Sequence, residues 1–300
     1  MSDDSPRVSI GLLVYNGERY LVETIESILG QTYKDFELII SDNCSTDGSR
    51  EICRRYAEQD SRVRFFSSEI NRGAAWNFCR VFDLARAPYF RWAPSDDVFA
   101  PESVAVCVEA LDAHPDAVLC YPKTVLIDGA GAVIMPYEDN LDLRSDSPVE
   151  RFRMAARQIG LVNVMYGLMR TEHVRRTRLI RHYPGADINF LLELTLYGKF
   201  IEINRPLFFR RMHEQASSSM KSSLPQLQAY LDPSRKERFF ARQWQMFLDQ
   251  VVAVLRGPLA SVERVQLLYF LTRDVISSRD EFLKELVEMV RATLPRLRQS

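Results

Sequence analysis

The sequence predicts an α/β protein in which a doubly wound, mostly parallel sheet is flanked by helices and followed by a C-terminal helical appendage. Apolar strand-like runs alternate with amphipathic segments through the first hundred residues, which is typical of a right-handed parallel sheet. An aromatic run at residues 89–92 leads into two adjacent carboxylates, Asp96 and Asp97. From about residue 233 the apolar periodicity is helical only. We therefore expect a sheet domain over 1–224 and a helical appendage over 225–300.

The first part of the sheet domain is predicted to alternate strictly between strands and helices. Leu21, Ile25 and Ile28 recur at helical spacing and give that segment one apolar face. The polar cluster at 41–48 is typical of a loop that leads into a helix N-cap. The predicted strands are 8–14, 36–40, 63–66 and the run that starts at Tyr89; the predicted helices are 18–29, one that ends near Glu58, and 74–86.

The alternation becomes less regular after the two acids. Asp128-Gly129-Ala130-Gly131 is a hairpin turn signal, and a segment rich in Asp and Pro at 137–148 is expected to be a mobile loop. The polar run 213–219 is a candidate lid. The remaining predictions are helices at 101–113, 149–158 and 187–197, and strands at 117–127, 161–168 and 199–211, the last of them a strand or a hairpin.

The appendage is predicted to contain three amphipathic helices. The first is a long helix that ends near Gly257, and the other two cover 260–277 and 279–293. The apolar face of the first helix carries the large side chains Phe240, Trp244, Phe247, Val251 and Leu255. These faces could pack on the sheet domain, meet a second copy of the chain, or lie on a bilayer surface.

Composition places the chain among ordinary globular proteins. Its 300 residues are 46% hydrophobic and 26% charged, and no apolar run approaches the roughly 18 residues of a membrane span. Five scattered cysteines without a C-x-x-C pair indicate reduced thiols. Residues 1–6 show no basic and apolar signal-peptide pattern. We therefore expect a cytoplasmic location, with no nucleic-acid partner.

The net charge of −1 conceals an asymmetry between the two halves of the chain. Residues 1–150 carry 14 basic and 26 acidic side chains, whereas residues 151–300 carry 25 basic and 14 acidic side chains. The basic half could face the phosphates of a substrate or of an anionic membrane. The two sets of charges could equally neutralise each other across the folded surface.

The paired acids are the strongest local signal of chemistry. Asp96 and Asp97 follow an apolar strand, and the carboxyl ends of strands in open α/β sheets border ligand crevices. Carboxylate pairs suit a hard divalent cation such as Mg²⁺ or Mn²⁺ that holds phosphate oxygens. The structural alternative is a solvated turn or helix cap, because Pro101 and Glu102 open a helix just beyond.

Six stretches in order resemble the large glycosyltransferase family two, which has the GT-A fold. They span roughly residues 7–219, and the appendage lies outside them. The similar stretches are VSIGLLVYNGERYLVETIESILGQTY, FELIISDNCSTDGS, NRGAAWN, YFRWAPSDD, GADINFLLELTLYGKF and FFRRMHEQAS. The resemblance implies a nucleotide-binding half over 1–100, an acceptor-binding half over 101–224, and a nucleotide-diphosphate sugar as donor.

The resemblance also assigns the donor-binding residues. Val14, Tyr15 and Glu18 follow the first strand, where the family holds the base, and stacking on a tyrosine agrees with that role. Asp42 matches the aspartate that contacts the base. A carboxylate only accepts hydrogen bonds, which favours the N3–H of uracil or thymine and hence UDP or dTDP. Arg72 matches a basic residue near the donor.

The remaining family positions concern the metal, the base and the acceptor. Asp96 would face the ribose or sugar, while Asp97 and His213 would bind Mn²⁺ or Mg²⁺, and imidazole slightly favours manganese. Asp187 would be the general base, although Ala186 stands where many members carry another acid. Arg210 and Arg211 could pair with the diphosphate or face solvent. The residues expected on the acceptor side are Asn163, Met165, Tyr166 and Gly167.

The predicted function is an inverting, metal-dependent glycosyl transfer of hexosyltransferase type to an acceptor hydroxyl, in polysaccharide, glycolipid or glycoconjugate biosynthesis. A noncatalytic nucleotide-sugar-binding protein is the first alternative. A nucleotidyltransferase is a weaker one, because the turn after the first strand offers only Gly17 and Arg19 beside Glu18 rather than a basic glycine-rich loop. Peripheral membrane contact or a homodimer could involve the C-terminal helices. Plain structural roles, such as core packing for Tyr15 and a helix cap for Asp187, are the alternatives at individual positions.

Overall fold

The computed structural model describes residues 5–214, 224–235 and 241–297. Its first half is a parallel sheet of four strands, in the spatial order β3 (Val63–Ser67), β2 (Phe36–Asp42), β1 (Val8–Val14) and β4 (Tyr89–Pro94). Helices cover the sheet, so β1 and β2 are buried almost throughout. The elements are β1 (Val8–Val14), α1 (Glu18–Leu29), β2 (Phe36–Asp42), α2 (Ser49–Gln59), β3 (Val63–Ser67), α3 (Ala74–Asp83) and β4 (Tyr89–Pro94).

The second half extends the same sheet with mixed strand directions. β8 (Leu168–Arg170) pairs antiparallel with both β4 and β6 (Ala117–Ile127), β9 (Lys199–Arg211) runs parallel to β6, and β5 (Val98–Phe99) pairs antiparallel with β9. The elements are β5 (Val98–Phe99), α4 (Ser103–Ala113), β6 (Ala117–Ile127), β7 (Val133–Tyr137), α5 (Pro148–Gln158), a 3₁₀ helix (Asn163–Tyr166), β8 (Leu168–Arg170), α6 (Thr171–Val174), α7 (Ala186–Thr195) and β9 (Lys199–Arg211). The predicted sheet flanked by helices is confirmed, as is the hairpin turn at 128–131 that joins β6 to β7.

Two predictions for the second half are wrong, and one short strand was missed. Residues 161–168 form no single strand, because Val162 adopts a left-handed conformation, with φ of 63°, and turns the chain into the 3₁₀ helix. The expected mobile loop at 137–148 is pinned, since the backbone of the buried Leu143 pairs with Phe200. The short strand β5 was not predicted. Residues 215–219 of the candidate lid lie outside the described residues.

Trp92 of β4 connects the elements on which the paired acids and Asp187 are mounted. Its side chain is fully buried, and its indole N–H donates to the Phe78 carbonyl of α3 at 3.0 Å. Its ring packs edge-on against Phe90 at 4.9 Å and against Phe190 of α7 at 5.2 Å. These contacts make β4, α3 and α7 one packed unit, so the acids after β4 and the start of α7 hold a defined relative position.

The appendage consists of α8 (Leu224–Leu231), a 3₁₀ turn (Pro233–Arg235), α9 (Arg242–Arg256), α10 (Ser261–Ser277) and α11 (Arg279–Leu297). The predicted first helix is present as α9 and ends beside Gly257 as expected; Phe240, which was predicted on its apolar face, lies outside the described residues. Val254 and Leu267 are buried in the same core cluster as α7. The outer face of α10 stays exposed at Val262 and Val265. Across the described residues, no helix combines the length and apolar character that crossing a bilayer requires.

Candidate functional site

A cleft of about 580 Å³ opens at the carboxyl ends of β1 and β4. These strands run side by side in parallel, so the turns that follow them meet at one edge of the sheet. Five of the predicted site residues line this cleft: Val14, Tyr15, Asp96, Tyr166 and His213. The cleft therefore brings together five of the thirteen predicted site residues, whereas Asp97 and Asp187 are not on its wall.

The turn after β1 presents Tyr15 to the cleft, with its side chain 45% exposed. Glu18, at the start of α1, does not line the cleft. Its carboxylate instead accepts a hydrogen bond from the Gly48 backbone N–H, at the start of α2. Glu18 thereby connects the starts of α1 and α2. The aromatic group that this turn exposes in the cleft is the Tyr15 ring.

Asp42 is also absent from the cleft wall. The side chain is completely buried and accepts hydrogen bonds from Arg50 Nε at 3.2 Å and from the Ser45 backbone at 3.1 Å. The next residue, Asn43, lies on the wall, and its Nδ2 donates to Asn71 Oδ1 at 3.0 Å. Neither amide was predicted as a site residue. Asn43 directly follows β2, and Asn71 lies shortly after the end of β3.

Arg72 points its guanidinium over the Trp76 ring, 5.1 Å from the ring centre, and does not line the cleft. Its backbone N–H donates to Asn43 Oδ1 at 3.0 Å. The arginine backbone therefore orients one of the cleft amides, while the charge lies against an aromatic face.

The turn that carries Asp96 and Asp97, called the acidic turn below, is held by α1, by the end of β9 and by His213 just beyond it. Asp96 Oδ2 lies 2.9 Å from His213 Nε2, and the His213 ring packs against Tyr20 of α1 with centroids 4.9 Å apart. Asp97 is 3% exposed, and its Oδ1 accepts the Arg211 backbone N–H at 2.7 Å. The Asp97 carbonyl accepts the hydroxyl of Thr24, also on α1, at 2.9 Å.

Burial raises the pKa of Asp97 well above its ordinary value, and the neighbouring Asp96 carboxylate raises it further. The Arg211 backbone N–H and the positive charges of Arg210 and Arg211 act in the opposite direction. A buried acid beside a second acid is a place where a bound cation would relieve electrostatic cost.

The donor set at this turn fits a divalent cation only in part. Within the described ranges, no three His, Cys, Asp or Glu side chains are arranged to hold a metal ion by themselves. The resemblance assigned the metal to Asp97 and His213, whereas the closest side-chain pair is His213 with Asp96. One or two carboxylates combined with substrate phosphates are the usual protein ligation of Mg²⁺. The site therefore suits a cation that takes most of its ligands from the nucleotide.

The two arginines at the end of β9 do not face solvent, so that alternative is wrong. Arg211 is 2% exposed; it donates to the Asp96 carbonyl at 2.9 Å and to Glu23 at 2.6 Å. Arg210 donates to the Asn163 side chain and to the Leu161 carbonyl. Both side chains hold loops near the cleft in place through hydrogen bonds.

Asp187 lies in the first turn of α7 and is partly buried. Burial raises its pKa, although the Ile188 backbone and the charges of Arg242 and Arg210 lower it. The preceding Gly185 has φ of 92°, and a side chain there would press against Met246 of α9. Gly185 is thus a position that glycine alone fills without strain, and it lets α9 support the loop before Asp187.

The four residues expected on the acceptor side have different positions. Tyr166 lines the cleft, whereas Asn163 is 3% exposed and accepts a hydrogen bond from Arg210. Met165 belongs to the core, and a β-carbon at Gly167 would lie 2.6 Å from the Cys120 carbonyl. Only Tyr166 of this group is in direct reach of a ligand in the cleft.

Asp139 was not predicted and lies beside the acceptor-side residues. Its carboxyl is 5% exposed and accepts the Thr124 hydroxyl at 2.8 Å. Burial raises the pKa of Asp139 to about 6, against a lowering contribution from Thr124 and Asn163. The sequence around it, a run of acids and an asparagine, is typical of a surface loop and carries no signal of burial.

The raised pKa of Asp139 predicts a pH-dependent loss of stability. Its contribution to stability is fully present below the unfolded-state pKa of about 3.9 and is lost as pH rises through about 6. We expect Asp139→Asn to remove this pH dependence. The unfolding free energy of the variant minus that of wild type should therefore increase by about 2–3 kcal/mol from pH 4 to pH 7. Urea unfolding at both pH values measures the difference, and an equal difference at both would contradict the assignment.

One wall of the cleft comes from the appendage, which also was not predicted. Gln226, Ala229 and Tyr230 of α8 line it, together with Pro233. Burial, and then the negative charges of Asp96 and Asp187, raise the pKa of Tyr230 to about 12. Asp187 itself is not on the cleft wall, but α8 contacts the loop that leads to it, where Gln228 donates to the His182 carbonyl.

Comparisons with known proteins agree with this geometry. Residues 9–161 match the family model described as glycosyl transferase family 2. The putative glycosyltransferase EpsE of Bacillus subtilis is 35% identical over 113 residues, which are 37% of this chain and 41% of that protein. The chain spans less than half of the length of such curated relatives.

Two solved structures share the fold. S. aureus TarS 1-349 in complex with UDP-GlcNAc has a TM-score of 0.67 at 15% identity, over 95% of this chain and 81% of that one. The mannosyltransferase PcManGT from Pyrobaculum calidifontis, in complex with GDP-Man and Mn²⁺, has a TM-score of 0.52 at 14% identity, over 95% and 87% of the two chains. These likenesses confirm the expected GT-A fold. With half of the chain matched by the family model, the protein belongs to glycosyl transferase family 2.

Proposed function

We propose that the protein transfers a sugar from a nucleotide-diphosphate sugar to an acceptor hydroxyl, with inversion at the anomeric carbon. The observation that carries the proposal is the cleft at the strand ends, where Asp96 and His213 meet and the Tyr15 ring is exposed. One wall of this cleft, α8, contacts the loop that leads to Asp187, which supports Asp187 as the candidate general base. A product in polysaccharide, glycolipid or glycoconjugate biosynthesis stays a prediction.

The nucleotide is proposed to occupy the end of the cleft at Tyr15. Its exposed ring offers a stacking surface for a base. Asn43 and Asn71 offer amide groups that both donate and accept, whereas Asp42 is buried and its carboxylate pairs with Arg50. UDP or dTDP remains the favoured nucleotide, and the UDP-GlcNAc complex of TarS supports a uridine donor while that of PcManGT names GDP-Man.

A divalent cation, Mn²⁺ or Mg²⁺, would be held by Asp97 and His213 with Asp96 beside them, and oxygens of the donor diphosphate would complete its ligands. When bound, it supplies positive charge against the diphosphate that departs. The chain itself keeps this turn in place through the Arg211 backbone and the Thr24 hydroxyl. These contacts fix the acids before the donor arrives, which preorganises the electrostatics of the site.

Asp187 is proposed to accept the proton of the acceptor hydroxyl as that oxygen attacks the anomeric carbon. An aspartate at its reference pKa of about 3.9 is a weak base toward an alcohol, and burial moves the pKa of Asp187 upward, in the useful direction. The bond to the acceptor oxygen forms while the bond to the diphosphate oxygen breaks. No covalent sugar–enzyme intermediate is required.

Ligand-induced stabilisation tests the proposal. Thermal unfolding is measured with UDP-GlcNAc, dTDP-glucose and GDP-mannose, each with Mn²⁺ or with EDTA. We expect at least one donor with Mn²⁺ to stabilise the protein by about 2.7 kcal/mol at a hundredfold excess over Kd, and less with EDTA. The stabilising donor should then lose its sugar to acceptors in an inverting transfer. No stabilisation by any nucleotide sugar, with or without metal, would contradict the proposal.

A further inference from the structure

Helix α8 presents one continuous face to the cleft, although it follows the sheet domain in the chain. Gln226, Ala229 and Tyr230 are spaced by three and four residues, so their side chains share one side of the helix. Pro233, in the turn that follows, continues the same wall. The cleft is thus bounded on one side by the appendage and on the other by the strand ends.

One end of α8 is docked on the nucleotide-binding half. Gly73, at the start of α3, has φ of 86°, and a β-carbon there would overlap the Leu231 carbonyl and lie 2.8 Å from Pro233 Cδ. Only a residue without a side chain lets the two backbones approach so closely in this conformation. The end of α8 therefore rests directly on the segment between β3 and α3.

The other side of α8 is docked on the loop that leads to Asp187. Gln228 is 1% exposed, and its Nε2 donates to the His182 carbonyl at 3.0 Å. Asp232 Oδ2 lies 3.4 Å from His182 Nδ1. The helix consequently connects the segment between β3 and α3 with the loop that leads to Asp187, which fixes where its cleft-facing side chains lie.

Tyr230 shares the cleft with Asp96 and His213, on the helix that also contacts the loop leading to Asp187. It is 40% exposed, so its ring and hydroxyl are open to a ligand. Tyr15, the ring proposed to hold the nucleotide base, lines the same cleft from the turn after β1. A ligand part near Tyr230 would therefore be the part between the diphosphate and the acceptor, which is the transferred sugar.

We propose that Tyr230 is a specificity-determining residue that contacts the transferred sugar of the donor; this inference rests on the proposed function. Its ring suits the apolar C–H face of a pyranose, and its hydroxyl donates to a sugar oxygen. Tyr230 contacts the sugar rather than the nucleotide, so its removal affects sugar nucleotides and spares the nucleoside diphosphate.

Calorimetric titration of Tyr230→Ala with UDP, UDP-GlcNAc and UDP-glucose, all with Mn²⁺, tests the inference. We expect the Kd for UDP to stay within about twofold of wild type and the Kd for the better-bound sugar nucleotide to rise about tenfold, the size expected for truncating a buried tyrosine contact. Tyr269→Ala is the matched control, because Tyr269 is 62% exposed on α10, outside the cleft, and should change neither constant.

The conservative variant Tyr230→Phe serves where the alanine variant fails to fold. It keeps the ring and removes the hydroxyl, so the sugar nucleotide should weaken about threefold with UDP unchanged. Equal weakening of UDP and sugar nucleotide, or weakening of neither, would overturn the inference while the proposed function stands. If wild type binds dTDP-glucose or GDP-mannose instead, that donor and its nucleoside diphosphate replace the uridine probes, and the same comparison decides the inference. Wild-type protein that bound neither these donors nor the three uridine probes would overturn both.

Discussion

Replacing Asp187 with asparagine is expected to lower turnover by at least about 100-fold, the low end of the usual effect of a general base. Asparagine has the same shape and keeps an oxygen for the Ile188 backbone N–H, which Asp187 Oδ1 accepts at 2.9 Å. It cannot take a proton from the acceptor hydroxyl. Donor binding should change little, because the acidic turn and Tyr15 are untouched. The measurement is steady-state transfer together with calorimetric donor affinity.

The control for this variant is Asp280→Asn in α11, where the side chain is 95% exposed. It makes the same chemical change far from the cleft and should leave turnover unaltered. Wild-type turnover in Asp187→Asn would eliminate Asp187 as the base. A variant that lost donor affinity as strongly as turnover would instead assign Asp187 to binding.

The second large effect is expected at Asp97, where asparagine should abolish metal-dependent activity yet stabilise the metal-free protein. The amide oxygen of Asp97→Asn would still accept the Arg211 backbone N–H, but the substitution removes a buried negative charge beside Asp96. We expect turnover to fall about 100-fold or more. In EDTA the unfolding temperature should rise by about 2 °C or more, a gain near 1 kcal/mol for a domain of this size.

Thermal unfolding of Asp97→Asn at neutral pH, in EDTA and then with UDP and Mn²⁺, separates the two effects. The wild type should gain stability from the combined ligands, and the variant should gain far less. If the variant gained as much as wild type, Asp97 would not be a metal ligand. If the metal-free variant were less stable than wild type, the buried carboxylate would be a stabilising group, contrary to its raised pKa.

The first half of the fold was predictable because its units are local. The pattern of Leu21, Ile25 and Ile28 predicts the helix 18–29, and the structure places α1 at Glu18–Leu29. The apolar run at 161–168 was wrongly predicted to be a strand. A short buried apolar stretch has no periodicity that distinguishes a strand from a 3₁₀ helix. Nothing local indicates the left-handed conformation of Val162 that decides between them.

The site was predictable at the level of strand ends and not at the level of side-chain direction. Tyr15, Asp96 and His213 line the cleft, whereas Asp42 is turned inward to Arg50, and a sequence pattern does not distinguish these orientations. Tyr230 was missed for a different reason. It reaches the cleft from more than a hundred residues beyond the acidic turn, and such a long-range contact leaves no periodic trace.

The family model ends at residue 161, well before the helix that walls the cleft at Gln226, Ala229 and Tyr230. The wall that α8 contributes therefore lies outside the part of the chain that the family model matches, as do Asp187 and His213. If Tyr230 contacts the transferred sugar, substitutions on this one helix would alter donor choice while β1, β4 and the acidic turn keep their sequence. New donor preferences could then arise in the lineage without any change at the strand ends.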